Sequence, residues 1–491
     1  MKKIFITLLS ALCVFGLASC DNGGGGGKGP QVKKTTITYM GWDLGTESEP
    51  TLKRKMIEEF NATSETIIID AQPTQDPIED FYNTLAAGNA LPDVFIIDSV
   101  PTAVMKEWAL DLTPYITKDP EWADVDKSLA SAVTYYGSTY ALPAAQHYIG
   151  FLANYELLDD YAGLADDAAN VFAPGNFTKE QFYNAIKASK DVNEDGTSVV
   201  GINAVGDMIN WLPSVIADND QHFVWDETKQ QFDFTGTNMT TALDEIQTLG
   251  KIASGYTFNA YADYTGTAEE DPRIAKFGTA DASQAFLQGQ IGFYQGMTSD
   301  DVSKINFDYK FIGYPNNRVV SASDFLCVSK QSQNKEAAYE VAKFLSFGAA
   351  GIEARYKIVA ADSNLKLTGL PVNTNATVTA KWFDYVAMKG VKEIYDSVCA
   401  GETKVLVEGL KTIPGFKAAR FTAKTGITIP GVRGDAELTI GDLIWDVCEG
   451  SITVGAYQAN MTKERSDALN AQVAAAMEEI KAVQAKDNPA A

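Results

Sequence analysis

The apolar positions of the chain change their period from two to nearly four and back, which predicts strands alternating with helices. Thr36 to Met40 alternates and is rich in β-formers, a first strand ending at Gly41-Trp42-Asp43. Behind Pro50, Leu52, Met56, Ile57 and Phe60 recur at helical spacing. Thr66 to Asp70 reads as a second strand. Ile78, Phe81, Tyr82 and Leu85 read as a second amphipathic helix stopped by Gly88. Val94 to Ile97 reads as a third strand, apolar throughout as buried parallel strands are. This order predicts right-handed βαβ units on a parallel sheet, where ligands sit at the carboxyl ends of the strands. Trp42, Asp43, Asp98 and Ser99 fall on that edge. At the far end, Leu469, Val473, Ala476, Ile480 and Val483 form one stripe of a last helix, expected to pack on the outside of a lobe.

The opening residues follow a different pattern. Lys2 and Lys3 precede an apolar run from Ile4 to Leu17, and Leu17-Ala18-Ser19-Cys20 closes it. This is the grammar of a secretory signal peptide, too short to span a bilayer as a mature helix. The tetrapeptide resembles a bacterial lipobox, which implies acylation of Cys20 and removal of residues 1–19. Residues 20–35 contain Gly23 through Gly27 in one row and bury nothing. A coil of that length reaches roughly 20 Å, a flexible tether between a lipid and an ordered body.

Composition narrows the function classes. At 45% hydrophobic and 21% charged the chain is of ordinary globular type, and its length calls for at least two lobes. The net charge of −24 becomes −26 once Lys2 and Lys3 leave, which disfavours nucleic acid and anionic lipid headgroups as partners. Beyond Cys13 and Cys20, the cysteines Cys327, Cys399 and Cys448 are odd in number and lack C-x-x-C spacing, so they read as small buried hydrophobes. With two histidines and no H-E-x-x-H, no G-x-x-x-x-G-K-[ST] and no G-x-S-x-G, several common enzyme signatures are absent.

Leu85 to Val94 carries L-x-x-G-x-x-x-P-D-V, and further fragments follow in order: Tyr140-Ala-Leu-Pro143, Gly150 to Asn154, Ala285 to Gly296, Phe325 to Lys330, Lys335 to Leu345, and Leu370-Pro371. Together these resemble extracellular solute-binding protein family 1, the sugar-capturing components of bacterial ABC importers. Ala153 departs from the family's usual tyrosine, and Ile291 and Gly292 replace a pair of alanines. The resemblance implies an α/β, two-lobed, periplasmic-binding-protein-like (type II) fold with a hinge that the chain crosses more than once. It divides the ordered chain into a first lobe of 36–142 with 325–371 and a second of 146–320 with 372–491.

A sugar offers flat C–H faces to aromatic rings and a fringe of hydroxyls to carboxylates, amides and guanidinium groups. The ligand-binding candidates are therefore Trp42, Asp43 and Asp98 at the strand ends, and His147 and Tyr148, with Gln146, after the first crossing. Asp207 and Trp211 follow the strand-like Val200 to Val205. Tyr294 and Gln295 precede Gly296, Asp324 lies with Ser323 at the return crossing, and Arg433 sits in a Gly-flanked loop. Asp98 equally suits a helix cap, and Trp211 a buried helix face.

Asp191, Asn193 and Asp195 match the opening of a calcium loop, but Ile202 stands where a bidentate glutamate belongs. A structural calcium is thus a partial expectation, with Asx-turn chemistry the alternative, and no cofactor is required. The expected protein is a monomeric, lipid-anchored, extracytoplasmic capturer of carbohydrate that delivers to a membrane permease, with no catalytic residues. The alternatives are an extracytoplasmic glycan hydrolase with paired carboxylates and a sensory ligand-binding module.

Overall fold

The computed structural model describes residues 33–487 apart from 75–77, 163, 165–166, 191–197, 252–253, 262–266 and 268–269. The leader, Cys20, most of the tether and the partial calcium loop at Asp191, Asn193 and Asp195 lie outside the described residues. No described helix is long and apolar enough to cross a membrane, and no group of three or more His, Cys, Asp or Glu among the described residues is placed to hold a metal ion.

Strand β1 (Thr35–Gly41), helix α1 (Leu52–Thr63), β2 (Ile67–Pro73), α2 (Glu79–Ala87), β3 (Val94–Ile96) and α3 (Val100–Met105) realise the predicted opening. Thr51, one residue after Pro50, caps α1 by accepting from Arg54 N, and Gly88 follows the end of α2. β1 pairs in parallel with both β2 and β3, so Trp42, Asp43 and Asp98 follow the carboxyl ends of their strands.

The main sheet continues through β4 (Leu142–Asn154), β5 (Val200–Ile202), β6 (Ile291–Met297), β7 (Tyr309–Ile312), β8 (Arg318–Val328) and β9 (Lys404–Val407). Its order is β2-β1-β3-β8-β4-β6-β5, with β7 on β4 and β9 on β8. The two long strands pass from one core to the other. Leu142 of β4 and Phe325 to Val328 of β8 belong to the first lobe's core, whereas Phe151 and Ala153 of β4 and Val320 of β8 belong to the second lobe's. The architecture is thus α/β with two lobes on one continuous sheet. β4 and β8 run antiparallel through the hinge, Ala322 opposite His147 and Asp324 opposite Ala145, and the register slips between Asp324 and Phe325. Such an irregularity bends the strand locally and re-aims its side chains.

A strap from the first lobe covers the free side of β4. Leu370 N donates to Gln146 O at 2.8 Å, and Gly369, at φ +81°, lies so close that an added Cβ would sit 2.5 Å from His147 Nδ1. The Trp382 indole pins the same turn by donating to Gly369 O at 3.1 Å.

Two placements differ from the sequence expectation. Asn373 is fully buried and donates to Phe347 O, and Val372 lies in the first core, so the chain still packs on the first lobe beyond 371, while Leu370 before it and Met388 after it pack in a cluster of the second lobe. The last helix, α8 (Lys463–Asp487), does not lie on one lobe. Leu469 and Val473 pack in the second core, Ile480 and Val483 in the first. Its single apolar stripe is long enough to serve two cores in succession, and Gln484 Nε2 ties its end to Tyr135 O. Cys327 and Cys448 are buried as expected, but Cys399, at the end of a surface helix, is exposed.

Candidate functional site

Where the carboxyl end of β1 meets the hinge and the second lobe, a cavity of about 840 Å³ opens between the lobes. Its walls come from Asp43, Lys53 and Arg355 of the first lobe, His147 and Asp324 of the hinge strands, and Thr298, Asp300 and Asp301 of the second. The strap residues Asn364 to Thr368, with Leu370 and Trp382, close one side. This volume falls within the range of small-molecule sites and admits an oligosaccharide fragment.

Each polar group is held by its local structure. The Asp43 carboxylate accepts from Tyr39 Oη at 2.6 Å and lies 3.5 Å from Lys53 Nζ, and its backbone carbonyl accepts from Thr51 Oγ1, the α1 cap. Lys53 also donates to Leu345 O at 2.9 Å, and burial pulls its ammonium below the usual lysine range. Helix Ala349–Ala361, labelled α5 after α4 (Lys335–Leu345), presents Arg355, whose Nη2 reaches the same Leu345 carbonyl at 2.9 Å. Burial pushes that guanidinium down to about 10.

On the hinge, Asp324 accepts from Lys411 Nζ at 3.0 Å. Lys411 comes from the short helix α6 (Gly409–Thr412) and also donates to Ser323 O at 3.0 Å. Burial holds His147 below its ordinary pKa, with Asp324 opposing that shift. Its Nδ1 is buried with no hydrogen-bond partner among the described residues. In the second lobe, Thr298 clamps the end of β6 to the hinge by exchanging hydrogen bonds with Tyr148 N and O. Asp300 accepts from Met297 N at 2.8 Å, and burial raises its carboxyl above the ordinary range. Such an alternation of fixed acceptors and donors suits hydroxyl recognition.

A second cavity, of about 310 Å³, lies on the second lobe. There Asp207 accepts from Gln295 Nε2 at 3.2 Å, while Phe421 and Trp445 expose nearly half of their surfaces. Arg420 donates to Asn210 Oδ1 at 2.9 Å and stacks its guanidinium 4.3 Å from the Phe223 ring. Trp445 belongs to helix α7 (Ile440–Cys448).

Of the ten ligand candidates read from sequence, Asp43, His147 and Asp324 line the interlobe cavity and Asp207 the second one. Trp42 packs partly on the first core with Lys411 Nζ 6.0 Å above its ring. Asp98 pairs with Lys417 at 3.4 Å, and the cap of α3 is its neighbour Ser99, which accepts from Thr102 N.

Four further candidates line neither cavity. Tyr148 lies with Leu152 in a core cluster of the second lobe, on the face of β4 opposite Phe151 and Ala153, and is fully buried. Trp211 is fully buried and stacks on Tyr314, centroids 4.5 Å apart. Tyr294 is half-buried against Phe286, centroids 5.0 Å apart. Arg433 is drawn back onto α7 by Asp442 and Asp446, at 3.1 and 2.9 Å.

Lys53, Arg355, Lys411, Thr298, Asp300 and Asp301 went unread. Lys53 stands inside α1 beside the Asp43 loop, a signal that was available. Arg355 and Lys411 reach the site only through tertiary packing.

Solved structures share this two-lobed fold. A substrate-binding protein of an ABC transporter from Listeria monocytogenes, in complex with cycloalternan, is 18% identical with a TM-score of 0.62 over 90% of this chain and 100% of its own. A sugar-binding protein from Xanthomonas citri is 14% identical with a TM-score of 0.59 over 91% and 99%. A cyclic alpha-maltosyl-1,6-maltose binding protein from Arthrobacter globiformis is 17% identical with a TM-score of 0.58 over 91% and 100%. At these identities the likeness is one of fold. The sequence itself matches the family described as bacterial extracellular solute-binding protein over residues 44–348, a span that includes both hinge strands and most of both lobes. With more than half of the chain matched, the protein belongs to the bacterial extracellular solute-binding proteins.

Proposed function

We propose that this protein captures a carbohydrate in the cavity between its lobes, closes over it by hinge motion about β4 and β8, and delivers it to the permease of an ABC-type importer. The observation that carries this reading is the cavity of about 840 Å³ whose polar groups come from both lobes and the hinge at once. A ligand that bridges Asp43 and Arg355 on one side and Asp300 and Asp301 on the other favours the closed state by its differential contacts, which is how such a fold turns binding into a signal. Solved relatives of the same fold are described with cycloalternan and cyclic maltosyl-maltose, which supports a saccharide as the solute class.

The protein works outside the cytoplasm as a monomer tethered by a lipid on Cys20, a reading supported by the lipobox-like Leu17-Ala-Ser-Cys20 and the glycine run behind it. It is a binding protein and not an enzyme. Isothermal titration calorimetry of the mature chain against mono- and oligosaccharides tests the reading, with chromatography of the recovered ligand. Tight binding with the sugar returned intact is expected. Absence of any saccharide binder, or release of shortened products, overturns it.

A further inference from the structure

The first-lobe wall of the interlobe cavity carries more positive charge than its own carboxylate answers. Arg355 is 6% exposed and lines the cavity, yet among the described residues its only hydrogen bond runs from Nη2 to Leu345 O, and Nη1 is buried with no partner among them. No carboxylate forms an ion pair with it among the described residues. Asp43 is already engaged by Tyr39 and Lys53, and Lys53 donates to the same Leu345 carbonyl. Two buried cations therefore share one carboxylate and one carbonyl oxygen. Lys366 of the strap lines the same cavity, also without an ion pair among the described residues. This corner runs against the chain's net charge of −24. A buried cation is costly unless a hydrogen-bonded anion completes it. Asp300 and Asp301 lie on the opposite, second-lobe wall, where each accepts from a backbone amide.

We propose that the captured saccharide is acidic and that its carboxylate, as in a uronic acid residue, docks on the cavity-facing edge of the Arg355 guanidinium, beside Lys53. The inference rests on the carbohydrate reading above and narrows it to a ligand class. A guanidinium is planar and matches a carboxylate with paired, charge-assisted hydrogen bonds, which a hydroxyl cannot reproduce. The acidic group supplies the counter-ion the wall lacks, while the sugar's hydroxyls donate to Asp300 and Asp301 across the cleft. A neutral sugar leaves the Arg355 guanidinium without a counter-ion.

The test is calorimetry of the mature protein with uronate disaccharides of the galacturonate, glucuronate and mannuronate series, their methyl esters and neutral disaccharides. Esterification keeps the shape and removes the charge. The acid form of at least one series is expected to bind about ten-fold tighter than its ester, or more, with the gap narrowing as salt rises from about 50 to about 500 mM. An Arg355→Met variant is expected to lose the preference of acid over ester while melting, without ligand, no lower than the parent. Arg355→Lys retains part of the preference.

Esters or neutral sugars that bind as tightly as acids, or a preference that survives Arg355→Met, overturn the inference and leave carbohydrate capture standing. Failure of every saccharide, charged or neutral, overturns the underlying reading instead.

Discussion

Replacing Lys411 with Met tests whether the hinge is held by charge. Lys411 Nζ makes two charge-assisted hydrogen bonds at 3.0 Å, to Ser323 O and Asp324 Oδ1, from a side chain 19% exposed against a carboxylate equally shielded. Such bonds are worth about 1.5–3 kcal/mol each when a partner is stranded. Asp324 faces the open cavity and recovers some hydration, so the net loss expected is about 2 kcal/mol, below the 3–5 kcal/mol typical of fully buried pairs. For cooperative units of roughly 150–250 residues that lowers the melting temperature by about 4–8 °C in scanning calorimetry.

The pH dependence follows from Glu408, which burial raises and Lys411 pulls back down. A carboxyl raised in the fold costs stability above its unfolded pKa, and that cost disappears as acid protonates it. Removing Lys411 raises Glu408 further, so the deficit of Lys411→Met is greatest near neutral pH and shrinks toward pH ~4.5. Asp324→Asn in the same chain should recover about half of the loss, since the stranded charge is gone. A melting shift under about 1 °C, a deficit constant across that pH range, or no recovery in the double variant refutes the reasoning.

Other consequences are as direct. His222 is buried, accepts from Gly409 N through Nδ1, and is pushed down to about 3 by burial. Its folded pKa is depressed, so its contribution is present above the unfolded value of about 6.5 and is lost by up to ~1.4 kcal/mol per unit as pH falls toward 3. His222→Gln should flatten that slope in urea titrations, and an unchanged slope counts against it. Trp211→Ala should cost about 3–5 kcal/mol through the lost core volume while leaving ligand affinity of the folded protein intact, whereas a selective loss of affinity would return Trp211 to the ligand. Gly369→Ala should weaken ligand binding and lower the melting temperature together, because the strap must lift off His147, and wild-type behaviour in both assays would rule out that close approach. Cys20→Ala should release the protein from membrane fractions on cell fractionation, and retention there would refute the lipid tether.

The elements that could be read in advance are those whose neighbours are close in sequence. The alternation in β1, the apolar run of β3, the helical spacing of Leu52 to Phe60 and the Gly88 stop are local patterns, and all appear where the sequence puts them. The place of Asp43 on the cavity wall was legible because it follows a strand end on a parallel sheet. Trp211 and Tyr148 were open to two readings for one reason: an aromatic beside polar residues looks the same whether it faces a cleft or a core. The packing of Tyr148 beside Leu152 and the stack of Trp211 on Tyr314 put both rings in cores.

By itself, the sequence determined the alternating strands and helices, the leader-like start, and the family to which the chain belongs, since period, composition and ordered motifs are properties of neighbouring residues. The tertiary structure alone decided that Arg355 and Lys53 would share one carbonyl beside Asp43, that Lys411 would clamp Asp324 at the hinge, and that the last helix would serve both lobes. Those pairings join segments far apart in the chain, and the packing of two cores about two crossing strands sets them, which no local pattern encodes.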